Sequence, residues 1–171
     1  MEALKARIRH VPDFPKAGIL FYDVTTLLRD PQGFRLAIDS LSAPYVGRGI
    51  DLVVGIESRG FILGGAVADR IRAGFVPVRK LGKLPAATVR ATYDLEYGSD
   101  SLEMHRDAVH AGQRVLIVDD LLATGGTARA TANLVQEVGG AVEGLAFLIE
   151  LVELNGRARL HGQHVMAVLQ Y

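Results

Sequence analysis

The stretch Val115-Leu116-Ile117-Val118-Asp119-Asp120-Leu121-Leu122-Ala123-Thr124-Gly125-Gly126-Thr127 decides how this chain is read. Its first four residues are apolar and three are β-branched, the make-up of a strand buried on both faces within a parallel sheet. Two carboxylates follow where such a strand would leave the sheet. A turn of small residues comes next, and Ala128-Arg129-Ala130-Thr131-Ala132-Asn133-Leu134-Val135 then predicts a helix. Strand, small-residue turn and helix start together make an anion site, because free backbone N–H groups converge there and the helix dipole favours negative charge. Gly125 and Gly126 let the backbone approach a phosphate, and the hydroxyls of Thr124 and Thr127 can donate to it. Successive strand residues point to opposite faces, so Asp119 and Asp120 serve one ligand only if the chain has already left strand geometry. Carboxylates beside a phosphate cradle suit a polyol attached to that phosphate, since ionised Asp accepts hydrogen bonds from hydroxyls. A ribose 5-phosphate has both parts. An ordinary strand-to-helix turn with solvated acids is the alternative that this spacing leaves open. No Gly-Lys-Ser/Thr follows the glycines, which argues against a P-loop, and the G-x-G-x-x-G spacing of a dinucleotide site is missing.

The 171 residues are within the usual size of one domain, and 49% are hydrophobic, enough for a real core. Lys and Arg total 19, as do Asp and Glu, so there is no global electrostatic case for nucleic-acid binding, and phosphate affinity must come from local sites. The absence of Cys excludes disulfides and thiolate metal sites and is compatible with a reducing cytosol. Met1-Glu2-Ala3-Leu4-Lys5 is not followed by a long apolar run, and no stretch approaches the roughly 20 residues of a membrane span. The expectation is a soluble cytoplasmic protein with no nucleic-acid and no membrane partner.

Elsewhere, Glu2 to Arg9 predicts a short amphipathic helix with Leu4 and Ile8 on one face. From Val11 to Leu28, two prolines and a glycine make the first half irregular, and Ile19 to Val24 is compatible with an extended segment. Such a segment either covers a flat base by stacking or packs as an arm on the core. Asp30-Pro31 predicts a helix start, with the helix ending near Tyr45. Asp51 to Ile56 reads as a second buried strand, followed by the turn Glu57-Ser58-Arg59-Gly60-Phe61 and a helix from about Ile62 to Arg72. Arg59 beside Gly60 suits bidentate phosphate binding, and a surface salt bridge is its other use. Phe75 to Val78 predicts a strand leading to the cations Arg79, Lys80 and Lys83, which either form a solvated basic turn or serve a neighbouring anion. The less apolar run from Pro85 to Ser101 reads as a hairpin or lid. Gly139-Gly140 ends the helix after the central motif, and strands are expected over Ala141 to Leu151 and Gly162 to Leu169. The five histidines are scattered, with only His161 and His164 close in sequence, so no metal site is expected from them. The alternation of strands and helices predicts an α/β domain with a mainly parallel sheet and ligand at the carboxyl ends of its strands.

The thirteen-residue stretch is similar to the phosphoribosyl-pyrophosphate (PRPP) signature of the type I phosphoribosyltransferases. Phe14, Pro15, Gly18, Ile19, Phe21, Asp23, Thr25 and Leu27 match the base-binding hood of their adenine-specific branch, with Thr26 where that pattern has Pro. Glu57 to Phe61 resembles the family's D/E-S-R-G-F pyrophosphate turn, and Arg79 to Pro85 its R-K-x-G-K-L-P string. Tyr93 to Gly98 resembles the Y-x-L-E-Y-G flap, and Glu150 to Arg157 the E-L-x-x-L-x-G-R ending, for which only a structural role is inferred. The resemblance implies the type I phosphoribosyltransferase fold, a mainly parallel sheet flanked by helices. It implies one domain over residues 1–171, with hood at about 11–28, flap at about 83–102 and PRPP motif at 115–127.

The implied reaction transfers the 5-phosphoribosyl group of PRPP to N9 of adenine, giving AMP and pyrophosphate. In that assignment Asp119, Asp120, Ala123, Thr124, Gly125, Gly126 and Thr127 bind the ribose phosphate. Ser58, Arg59, Arg79, Lys80 and Lys83 meet the pyrophosphate, and Leu20, Phe21, Tyr22 and Leu121 meet the adenine. Arg59 and Glu96 are catalytic, Glu96 as proton carrier, and Tyr97 is a flap contact. The resemblance also implies Mg²⁺ held mainly by PRPP and water, a homodimer, and a non-proline cis peptide within Glu57 to Arg59. Two rivals remain. A transferase for an oxopurine would differ in the backbone of the hood. A PRPP-sensing transcription regulator would need a DNA-binding module, and no helix-turn-helix precedes the hood.

Overall fold

Leu4 is buried by a single helical turn, α1 (Glu2–Lys5), and Ile8 follows it into the core. The chain then enters a two-stranded antiparallel hairpin, β1 (Arg9–Pro12) and β2 (Leu20–Asp23), so the first helix stops well short of the expected Arg9. Arg9 faces Asp23 across the hairpin, and their ion pair, Nη2 to Oδ2 2.5 Å, gives the extended form a contact that a helix would lack. Two helices follow, α2 (Thr25–Leu28) and α3 (Pro31–Ser42). The Asp30 carboxylate accepts from the Gln32 N–H at 3.1 Å and Pro31 takes the first helical position, as the sequence predicts.

This computed structural model describes residues 1–94 and 98–171. Its remaining elements are β3 (Leu52–Ile56), α4 (Arg59–Ile71), β4 (Gly74–Lys80), β5 (Thr88–Asp94), β6 (Ser99–His105), β7 (Arg114–Leu122), α5 (Gly126–Glu137), β8 (Ala141–Glu150) and β9 (Val165–Gln170). A seven-stranded sheet runs β5-β6-β4-β3-β7-β8-β9. The five strands from β4 to β9 are parallel, and β5 and β6 form an antiparallel hairpin joined to β4 through Arg79 and Lys80. This is the α/β fold that the alternation predicts. None of the described helices is long and apolar enough to cross a membrane.

Strand β7 supplies both cores, which is why its sequence is continuously apolar. Leu116 and Val118 pack with Leu4, Leu27, Leu41, Leu63 and Val67 on one face. Val115 and Ile117 pack on the other with Leu134 and Val135 of α5 and with Leu102 and Met104 of β6. Each such side chain contributes about 1.5–3 kcal/mol by leaving water.

Two boundaries differ from expectation in ways that matter for the site. Helix α4 begins at Arg59 rather than near Ile62, which puts Arg59 and Gly60 in its first turn. Strand β7 continues to Leu122, because its pairing with β8 persists through Asp119↔Phe147, Leu121↔Ile149 and Leu122↔Glu150. The acid pair therefore stands in strand register, so the strand geometry that the sequence reading asks the chain to have left there is still in place.

Beyond β8 the Glu150-to-Arg157 segment clamps the sheet edge. Nearly buried Glu150 receives Nε and Nη2 of Arg157 at 2.6 and 2.8 Å and Nε2 of Gln170 at 3.0 Å. Arg157 also donates to the Val165 carbonyl at 2.9 Å. The Arg157 guanidinium holds the Glu150 carboxyl below its ordinary value of 4.5. A depressed carboxylate stabilises the fold above its unfolded pKa and loses that contribution as pH falls through the folded one. Arg157→Ala, which strands a buried carboxylate, is expected to cost about 2–4 kcal/mol in denaturant unfolding at pH 7. The difference from the parent should shrink below about pH 4 as Glu150 protonates.

Candidate active site

The phosphate loop begins where β7 ends. Gly125 caps α5 with φ +81°, a left-handed conformation suited to glycine, and leaves the N–H groups of the first helical turn facing outward. A cavity of about 80 Å³ lies among Asp119, Ala123, Thr124, Gly125 and Thr127. That exceeds twice the ~30 Å³ a water takes in the liquid. The floor is backbone against backbone. A Cβ at Gly125 would fall 2.4 Å from the Gly156 carbonyl oxygen, and one at Gly156 would fall 2.2 Å from that of Ala123. The segment given only a structural role thus carries the underside of the loop. Sequence reading missed Gly156 as a site residue, although the G-R pair beside Glu150 was the available signal.

The second turn meets the first through Arg59. Its Nε pairs with Asp120 Oδ2 across the gap between the starts of α4 and the loop. Burial disfavours the Arg59 charge, but Asp120, Asp119 and Asp23 together more than compensate and hold it cationic. Gly60 permits this approach, since a Cβ there would be 2.8 Å from Asp119 Oδ1 and 3.2 Å from the Val118 carbonyl. Burial pushes the Asp119 carboxyl well above the usual carboxylate range, and the charge of Asp120 adds to that. The two acids are consequently unlike: Asp120 is pinned by a cation, whereas Asp119 lines the loop cavity. The Glu57–Ser58 peptide is cis, as the resemblance implies.

The cationic turn gathers on a residue that the sequence reading passed over. Glu57 accepts Nζ of Lys83 at 2.5 Å, the backbone N–H of Lys80 at 3.1 Å and Nε of Arg79 at 3.4 Å. Burial works against the charge of Glu57, yet Lys83, Lys80 and Arg79 bring its carboxyl below the ordinary range. Lys80 Nζ lies 3.1 Å from Asp100 on β6, and Asp100 accepts the Tyr93 hydroxyl at 3.4 Å. Tyr93 also shares a hydrogen bond with Thr127. The hairpin, the cationic turn and the phosphate loop are therefore linked side chain to side chain. Glu96 and Tyr97 lie outside the described residues.

The hood residues divide. Phe14 packs edge-on against Phe21 with centroids 5.1 Å apart, while Phe14, Ile19 and Leu20 remain exposed. Tyr22, on the other side of β2, stacks with Tyr171 at 4.2 Å and meets His10 at 5.1 Å. Its ring rests on the C-terminal residue, on the other face of β2 from Phe21. Leu121 lines the phosphate-loop cavity and packs against the first core. Asp23, held at about 2 by the Thr25 hydroxyl, the Arg9 guanidinium and the Thr25 N–H, keeps a full charge facing Arg59.

The phosphoribosyl transferase domain family matches residues 25–163. The adenine phosphoribosyltransferase of Acidobacterium capsulatum is 62% identical over 170 residues, covering 99% of this chain and 94% of that protein. That of Solibacter usitatus is 63% identical over 171 residues, covering 100% and 99%. Among solved structures, adenine phosphoribosyltransferase from Rhodothermus marinus superposes with a TM-score of 0.95 at 57% identity, covering 99% of this chain and 97% of that one. The Saccharomyces cerevisiae enzyme, complexed with adenine and an imino-altritol bisphosphate, gives 0.92 at 42% identity, covering 98% and 97%. The chain belongs to the adenine phosphoribosyltransferases, within the type I phosphoribosyltransferase family.

Proposed function

We infer that this chain transfers the 5-phosphoribosyl group of PRPP to N9 of adenine, releasing pyrophosphate and forming AMP. The observation that carries the reading is the meeting of the glycine-floored anion cavity with the Arg59 turn at the carboxyl ends of β3 and β7. Ala123 to Thr127 bind the 5-phosphate, with the Gly156 backbone holding the loop in place. Asp119 and Asp120 take the ribose hydroxyls: although both stand in strand register, both carboxylates act on the one Arg59 guanidinium, which supports their serving a single ligand.

Departure of pyrophosphate builds negative charge on the leaving oxygens and positive charge on the sugar. Ser58, Arg59, Arg79, Lys80 and Lys83 receive the leaving group. The four cations now rest on the carboxylates Asp120, Glu57 and Asp100, which an incoming polyanion would replace with charge-assisted bonds of its own. The Arg59 exchange frees Asp120 for the sugar. Mg²⁺ bound with PRPP supplies further neutralisation of the leaving group. The metal would be held mainly by PRPP oxygens and water, since Mg²⁺ keeps several waters and favours substrate phosphates. Phe21 and Leu20 stack on adenine while the hood backbone reads its edge, with Leu121 beneath. Glu96 moves the proton on the imidazole ring, and Tyr97 closes over the site. The exposed Ile62 and Phe75 supply apolar surface for a homodimer. The neutral, Cys-free composition fits a cytoplasmic setting.

A spectrophotometric assay with PRPP and Mg²⁺ should yield AMP from adenine, with hypoxanthine and guanine rejected by roughly 10⁴-fold in kcat/KM. Turnover of an oxopurine at a comparable rate would overturn the base assignment. Glu96→Gln is expected to lower kcat by about 10²–10⁴ with little change in KM for PRPP, and an unchanged kcat removes its proton role. Asp120→Asn should damage both kcat and KM for PRPP, by about tenfold or more in kcat/KM. Gly156→Ala, whose Cβ collides with the Ala123 carbonyl, should raise KM for PRPP well beyond KM for adenine in steady-state kinetics. Equal effects on both would make Gly156 merely structural.

A further inference from the structure

Glu103 stands within β6 with only 5% of its surface exposed. A carboxylate taken out of water needs partners for both oxygens, because a buried charge left unpaired is strongly unfavourable. Leu102 and Met104, its neighbours in sequence, belong to the second core, so alternation turns Glu103 to the other face of the sheet. There it stands opposite Arg90 of β5 and Arg79 of β4. Directly opposed residues share a face, so the register offers Glu103 two arginines. It takes one. Oε1 accepts Nη2 of Arg90 at 3.2 Å, with the Thr88 hydroxyl further off at 3.5 Å. Arg79 turns away to Glu57 and to the Lys83 carbonyl. The second oxygen, Oε2, goes instead to a backbone group, the N–H of Gly82 at 3.0 Å.

Gly82 lies between Lys80 and Lys83 and bends the cationic turn with φ +75°, a left-handed conformation suited to glycine. The N–H of Lys80, two residues earlier, is held by Glu57 at 3.1 Å. Two carboxylates therefore grip the backbone of this turn, Glu57 from the end of β3 and Glu103 from β6. A ligand treats them differently. Glu57 also collects Nζ of Lys83 and Nε of Arg79, so an arriving polyanion competes with it for those cations. Glu103 is buried and meets the turn through a main-chain N–H, so its grip persists while the cations change partners. A carboxylate also holds that N–H more strongly than a neutral acceptor of the same shape. We propose that Glu103 is a positioning residue for the transfer, which by holding the Gly82 N–H fixes the backbone from which Lys80 and Lys83 reach the departing pyrophosphate. This rests on the reading of those lysines as pyrophosphate ligands.

Isothermal titration calorimetry of the full chain, with pyrophosphate and Mg²⁺ and separately with ribose 5-phosphate, reads the two halves of the site one at a time. Glu103→Ala is expected to weaken pyrophosphate binding by about tenfold, the loss of one charge-assisted hydrogen bond, with ribose 5-phosphate bound as in the parent. Glu103→Gln keeps the shape and an acceptor for Gly82, and gives a folded chain to measure if the alanine variant does not. It should show the same selective loss at about threefold. Arg90→Met cuts the other half of the carboxylate's bonds and should bind pyrophosphate like the parent. In steady-state turnover, KM for PRPP should rise in both Glu103 variants while KM for adenine holds. Equal losses for the two ligands, or the same pyrophosphate loss in Arg90→Met, would make Glu103 a support of the β5–β6 hairpin and overturn the proposal. Parent affinity for pyrophosphate in Glu103→Gln would overturn it as well. A parent chain that binds neither ligand would overturn the reading of the lysines, and the proposal with it.

Discussion

The pairing of Arg59 with Asp120 is the contact on which the arrangement of the site depends. Arg59 opens α4 after β3, and Asp120 stands near the end of β7, so one ion pair joins two strand-turn-helix units at their ligand-binding ends. The pair is possible only because Gly60 has no side chain where Asp119 and the Val118 carbonyl stand. A Cβ at that point would separate the units by more than a hydrogen bond tolerates. The same ion pair distinguishes two carboxylates that are adjacent in sequence. One is bonded to the cation, and burial pushes the carboxyl of the other well above the usual carboxylate range.

Around that contact the site is organised as a set of provisional ion pairs. Arg79 and Lys83 rest on Glu57, Lys80 on Asp100, and Arg59 on Asp120. Cations gathered for a polyanion would repel one another in its absence, and internal carboxylates remove that repulsion. In these pairs the cations are one-third to three-fifths exposed while the carboxylates lie deeper, so the cationic ends are the parts that face an incoming anion. A chain whose formal charge is zero overall can thus present a dense local cationic patch. The Lys80–Asp100–Tyr93–Thr127 series extends the arrangement to the β5–β6 hairpin, so that hairpin and the loop after β7 share partners.

Sequence patterns carried the strands, the two phosphate turns and the order of the parts, because each depends on local features: an apolar run, a glycine pair, a capping aspartate before proline. The early stop of the first helix was hidden because the Arg9–Asp23 bridge is fourteen residues apart in sequence and leaves no periodicity. The length of β7 was hidden for a related reason. Carboxylates are poor strand residues, and only the neighbouring β8 shows that the ladder continues past them. Gly156 and Glu57 escaped notice as site residues because their work is done through space, one by its missing Cβ under Ala123 and the other by collecting three donors from β4 and the turn after it. Tyr22 shows how alternation separates neighbours. Strand alternation turns its ring toward Tyr171 and away from Phe21, so neighbours in sequence do not share a pocket.

Parallel strands have two chemically different ends. At the carboxyl ends, strand exits lead into helix starts, so backbone N–H groups and dipoles favour anions, and the turns that open α4 and α5 sit there. At the amino ends the polarity comes from side chains. Arg114 bonds Glu143, the extra residue of the β7–β8 bulge, while its backbone N–H donates to Asp51, so paired charges close that end of the sheet.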